Sequence, residues 1–335
     1  MHHAGKYPAV ILLGLLLSGS FSGMASETAP AVTTAAVHRA WLKNAVARLS
    51  AMPDTDALVT AGALAHALPD GQARSLELLD RAVASAPQAT DIGLLDIGAC
   101  NGNAGCDALK REARLRRADP RNGSLWMVAL HDASKRADRP RIDTVLSRMA
   151  QSDRFDLHFM SLGQRFLVAL KRVPPPPATP TASADVLRQL QALSMVAAFA
   201  MPRMQDLVAA CKPGHPASDA RRKTCRAIAG SLRRSDSLIA NMIGLRLQEW
   251  NARDAADRDD ALAQRRRLQW KMQQLRNVSG TPGMPPASQV GIMLAHENEV
   301  DGVDAMLRAA GRPLDPPSHW QPVVPTAPMA VRALP

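Results

Sequence analysis

Aromatic side chains are nearly missing from this 335-residue chain: they make up 3% of it, and the single tyrosine is Tyr7, in the N-terminal leader. Phenol chemistry is thereby excluded from the mature protein. Strand signals are missing too, since no alternating run of Val, Ile, Thr and aromatics is bounded by hairpin turns. Lysine is scarce, supplying eight of the 41 basic residues, so arginine carries the charge. The familiar catalytic signatures are also lacking. There is no HExxH, because "HENEV" at His296 places Val300 where the second His must stand. No SxxK, GxSxG, P-loop or GxGxxG occurs, which removes the common serine-nucleophile and phosphate-cradling arrangements.

The leader is "MHHAGKYPAVILLGLLLSGSFSGMAS", with one fixed positive charge at Lys6, an apolar run from Ala9 to Leu17, and small residues up to Ala25. That three-part layout predicts a secretory signal peptide over 1–25, cleaved after Ala25. Its apolar run falls short of the ~20 residues needed to span a bilayer, so no transmembrane anchor is expected after cleavage. No Cys precedes Cys100, which excludes a lipid-modified cysteine at the cleavage site. Arg-rich, Lys-poor usage is that of a GC-rich bacterial genome, so the expected location is periplasmic or secreted.

An oxidising compartment allows disulfides, and the cysteine count is even: Cys100, Cys106, Cys211 and Cys225. Of the three connectivities, proximity along the chain favours Cys100 with Cys106 and Cys211 with Cys225. The rival for the second pair is a metal site using His215, but no CxxC pair is present and the ligand count is short. The remaining mature histidines, His38, His66, His131, His158, His296 and His319, show no ligand spacing. No metal or cofactor is implied.

Helical spacing dominates the rest. In "ARSLELLDRAVASAP" Leu76, Leu79, Ala82 and Val83 share a face, and in "SLIANMIGLRLQEW" residues Leu238, Ile239, Met242, Ile243, Leu245 and Leu247 form a broad apolar face with Ser235 or Asp236 as N-cap. The fold class is all-α. Punctuation recurs at Pro53, Pro87, Pro120 and Asp153, in steps of 34, 33 and 33 residues. After each boundary comes an apolar helix, a polar break ("PDGQ", "NGNAG", "KRADRP") and a second helix. That is a helix-turn-helix unit repeated three times.

This period and phase resemble the tetratricopeptide class, over roughly residues 53 to 170. Trp126 takes the place of the aromatic that opens the first helix, Leu146 suits the apolar position of the second, and Pro87 and Pro120 resemble the closing proline. Ala133 and His66 stand where a Tyr is usual, and Val59 replaces the opening aromatic of the first unit. The resemblance implies a TPR-like α-solenoid whose first helices, carrying His66 and His131, line a concave face. The expected organisation is a helical-repeat region over 26–173, a proline-rich linker over 174–184, a second helical region over 185–311, and an extended proline-rich tail over 312–335 with Trp320 as a docking point. Whether the second helical block continues the same superhelix is open at this level.

Three functional classes fit. The first is an exported, non-catalytic scaffold that binds a protein or peptide along the curved surface of stacked helix pairs. The second is a module that binds an anionic envelope component, glycan or lipid, through its arginine faces. "QRRRLQWK" places Arg265, Arg266, Arg267 and Lys271 around Trp270, which resembles an anionic-surface patch. Leu262, Gln269, Met272 and Leu275 continue a helical pattern there, so Trp270 facing inward beneath a solvated basic face is the competing reading; export disfavours nucleic acid. The third class is a hydrolase of unrecognised type, with His296, Glu297, Glu299 and Asp301 as its only cluster.

Overall fold

The computed structural model describes residues 30–100, 103, 105–177, 183–199, 204–213, 218–278 and 286–322. The expected leader with Tyr7 and its expected cleavage site at Ala25, the centre of the proline-rich segment, His215 and the end of the tail lie outside the described residues.

Among the described residues fifteen α-helices follow one another and no strand forms. A long α1 (Pro30–Ser50) precedes three antiparallel pairs: α2 (Thr55–His66) with α3 (Gln72–Ser85), α4 (Thr90–Cys100) with α5 (Ala108–Ala118), and α6 (Met127–Lys135) with α7 (Arg139–Ala150). The polar breaks between partners fall where the sequence places them. Aspartates start several of these helices by accepting orphan backbone N–H groups: Asp54 from Ala57, Asp107 from Lys110 and Asp138 from Arg141. Close approach within pairs requires glycine. A Cβ on Gly62 would stand 2.8 Å from Leu79 Cγ, and one on Gly93 would stand 2.6 Å from Leu115 Cδ1.

The buried stripe of α3 is Ser75, Leu78, Leu79, Ala82 and Val83, so the apolar face is turned slightly from the expected one: Leu78 is in the core and Leu76 sits at its edge. The physical reason is that α3 is gripped on two sides, by α2 and by α4.

The segment "ADPRNGSLW" becomes a short 3-10 turn (Gly123–Trp126) that leads into α6. Asn122 caps it, accepting from Ser124 N, and Gly123 N donates to Arg154 O of the next boundary at 2.9 Å. Trp126 lies half-buried under the Arg116 guanidinium, 4.3 Å from the ring centre.

The chain then turns back. Helix α8 (Phe159–Leu170) packs on α2 and α4, and α9 (Ala184–Phe199) joins it there. Arg165 of α8 fixes this crossing by pairing with Asp56 of α2 and Asp91 of α4. Next come α10 (Met204–Cys211) against α6, and α11 (Asp219–Leu232) against α7 and α12 (Leu238–Trp250). The last elements are the 24-residue α13 (Ala255–Val278), α14 (Pro286–Leu294) and α15 (Glu299–Ala309).

One hydrophobic core runs from Leu42 to Leu294 and crosses the proline-rich segment, so the two helical regions share an interior. At the start of that segment the Pro174 carbonyl accepts the Trp41 indole N–H at 2.9 Å, which seats it against α1. A smaller cluster joins Leu238 and Leu245 of α12, Leu268, Leu275 and Val278 of α13, and Val303, Met306 and Leu307 of α15, with Leu314 of the tail packed on it.

Both local disulfides are present. Cys100 pairs with Cys106 and Cys211 with Cys225, and no described cysteine is free. No helix among the described residues is long and apolar enough to cross a membrane.

Candidate functional site

The first helices of the pairs were the expected groove, and the structure shows what faces them. The ring of His66 lies 4.6 Å from that of Phe199 at the end of α9, and burial lowers its pKa. His131 Nδ1 is 2.9 Å from Asp206 Oδ2 of α10. Both histidines therefore contact the second half of the same chain. With α8 and α9 also lying over α2 and α4, the chain itself covers these helices.

The basic run on α13 is likewise engaged. Arg265 pairs with Glu249 of α12, Lys271 lies 2.7 Å from Asp304 of α15, and Arg267 lies 2.7 Å from Asp315 of the tail. Arg266 Nη2 donates to the carbonyls of Pro317, Ser318 and Trp320 at 2.8, 2.8 and 2.6 Å. Trp270 faces inward at 9% exposure, donating its indole N–H to Pro313 O at 2.9 Å. Each of the four cations thus has a partner within the chain, and Arg267 keeps 60% of its side chain exposed. They fasten α13 to its neighbours and hold the tail.

Trp320 is docked, as the sequence anticipated. Its indole N–H donates to Gln273 Oε1 at 3.0 Å, and its ring meets Trp270 edge-on with centres 5.3 Å apart. That geometry is a favoured aromatic contact. Beside it lies an open cleft of about 540 Å³. Leu245 and Leu268 contribute apolar surface, Asn241 and Gln264 amides, Arg267 and Lys271 cations, and Asp260 and Asp315 carboxylates. Such a lining suits a ligand with both apolar and hydrogen-bonding parts. Asn241, Gln264, Gln273 and Asp315 had no local signature, because they meet only through tertiary packing.

The acidic cluster proposed for hydrolysis is dispersed. Glu299 is buried and accepts Leu238 N at 2.9 Å and the Ser237 hydroxyl at 3.3 Å, so it caps α12 from the start of α15. Ser237, not the expected Ser235 or Asp236, is the N-cap position, and its side chain caps no backbone N–H of α12. Asp236 instead accepts the backbone N–H groups of Leu157 and His158 at 2.8 and 2.6 Å. Burial, aided slightly by the Asp236 charge, raises the Glu299 pKa to about 7 against the pull of its two donors. Asp301 N is bonded to the Asn298 side chain, Glu297 is exposed, and the His296 carbonyl lies 3.4 Å from the Gln164 amide. These groups cap and staple helices. Among the described residues no group of three or more His, Cys, Asp or Glu could hold a metal ion.

Comparison with protein-family models, with curated proteins and with solved structures found no match.

Proposed function

We propose that the protein is an exported, periplasmic or secreted, non-catalytic binding module for a protein or peptide, whose contact surface is the cleft beside α13. The three antiparallel pairs are read as divergent TPR-like repeats, in which a curved face would ordinarily take the ligand. Here that face is occupied from within, and this single observation moves the contact surface to the α13 cleft. Two disulfides and the expected signal peptide support export. The pairing of Arg265, Arg266, Arg267 and Lys271 within the chain places binding of an anionic envelope component second.

Photo-crosslinking in cells from a reactive group at Ala263, an exposed residue of the cleft, tests the reading. A discrete crosslinked partner is expected from Ala263 and not from exposed Arg117 on α5. Equal capture from both positions, or none from Ala263, overturns it. Capture that survives added salt separates a packed contact from a mainly electrostatic one.

A further inference from the structure

Residues 312–322 leave α15 through Gly311, whose φ of +63° turns the chain and whose missing Cβ would touch nothing within 4 Å. The segment "RPLDPPSHWQP" then crosses α13 outside any helix or strand. What holds it is selective for a chemical type. Proline has no N–H, so a proline-rich backbone carries more carbonyls than donors, and in this segment a local turn meets that of Pro317, from Trp320 N at 3.0 Å. Helix α13 offers donors and no backbone acceptors: the Arg266 guanidinium takes the carbonyls of Pro317, Ser318 and Trp320, and the Trp270 indole takes that of Pro313. One side chain is read as well, since the Trp320 indole is met by Gln273 and by the Trp270 ring. Aromatic surface combined with donors to a preformed extended chain is a recurring way to recognise proline-rich peptides.

We propose that this face of α13 is a binding site for proline-rich peptide segments bearing a tryptophan, and that residues 312–322 are its intramolecular occupant, displaced when such a segment arrives. The inference rests on the reading that contact occurs beside α13. Two features favour exchange. The ion pair between Arg267 and Asp315 is exposed on both sides, at 60% and 66%, and holds the tail weakly. The cleft of about 540 Å³ bordering Asp315 and Pro316 leaves room for side chains that residues 312–322 do not supply.

The test uses the full chain and a fluorescein-labelled peptide with the sequence of residues 312–322, followed by fluorescence anisotropy. The tethered tail competes at a high effective concentration, so the wild-type chain should bind the peptide weakly, and Trp320→Ala should bind it about tenfold or more tighter. Adding Arg266→Ala to Trp320→Ala should remove that gain, and a peptide with Ala in place of its Trp should not bind. Equal affinity of wild type and Trp320→Ala, or indifference to Arg266→Ala, overturns the proposal. Far-UV circular dichroism checks that each variant keeps its helices. Should Trp320→Ala lose them, Asp315→Asn carries the test, with an expected gain of about twofold from loss of one exposed ion pair and no gain as the refuting result. If the peptide fails throughout while Ala263 still captures a partner in cells, the peptide class is wrong and the binding reading stands; if Ala263 captures nothing, the binding reading has failed.

Discussion

The side chain of Asn122 grips both amide groups of Asp156: Oδ1 accepts from Asp156 N at 3.0 Å, and Nδ2 donates to Asp156 O at 3.1 Å. Asn122 is fully buried, and Ser124 Oγ adds a bond to the same Asp156 carbonyl at 2.8 Å. The turn before α6 thus recognises the turn before α8 through a side chain that imitates a strand partner. Asn122→Ala would orphan the N–H groups of Asp156 and Ser124, while the Asp156 carbonyl keeps Ser124 Oγ, and each unsatisfied buried group costs about 1–3 kcal/mol. A fall of about 2 kcal/mol or more in unfolding free energy is expected from urea titration. An unchanged midpoint would show that water replaces the contact freely.

Glu299 should make stability depend on pH. Its folded pKa, about 7, lies above the ordinary 4.5, so the folded chain binds the proton more tightly than the unfolded one between those values. Stability from this group is therefore greatest at acid pH and falls as pH rises through that window. Glu299→Gln keeps an acceptor for Leu238 N and has no charge to bury. The difference in Tm between wild type and Glu299→Gln should widen in the variant's favour from pH 5 to pH 8, as thermal melts can show. A difference that stays constant across that range would mean that Glu299 titrates normally. Glu112, raised to about 7 by burial while accepting Val128 N and Ala129 N, adds a slope of the same sign in both proteins.

The disulfides should contribute unequally. Closing the 14-residue separation of Cys211 and Cys225 stabilises by about 3 kcal/mol on loop entropy, and the six-residue separation of Cys100 and Cys106 by somewhat less. Replacing the first pair with alanine should lower Tm more than replacing the second. The reverse order in calorimetry would show that the Cys100 loop carries the greater constraint. Alkylation of the native protein without reductant should modify no cysteine.

Arg165 and Arg267 provide a contrast between ion pairs. Arg165 neutralises Asp91, which is almost fully buried, together with Asp56. Arg165→Ala should cost about 3–5 kcal/mol, because it strands a carboxylate inside the protein. Arg267→Ala removes an exposed pair and should cost less than about 1 kcal/mol. Similar midpoints for the two variants in denaturant would refute this ordering.

The all-α class, the three helix pairs, their polar breaks and the local cysteine pairs were legible because each depends on residues close in sequence. A proline, an aspartate cap or a 3.6-residue stripe announces itself. The return of α8 across α2 and α4 did not, since Arg165 meets Asp56 across a sequence separation of 109 and no periodicity encodes that meeting. The choice of Leu78 over Leu76 and the capping of α12 by Glu299 are hidden for the same reason. On α13 the basic spacing was plain, and its use was not: each cation is assigned by an acid or carbonyl elsewhere in the chain.

The indole of Trp41 and the amide of Gln164 each reach a carbonyl more than a hundred residues away, at Pro174 and Leu294. The helix pairs can form early from their own neighbours, but the interior they border closes only when the later helices arrive. During synthesis the first half must therefore wait with part of its apolar surface uncovered.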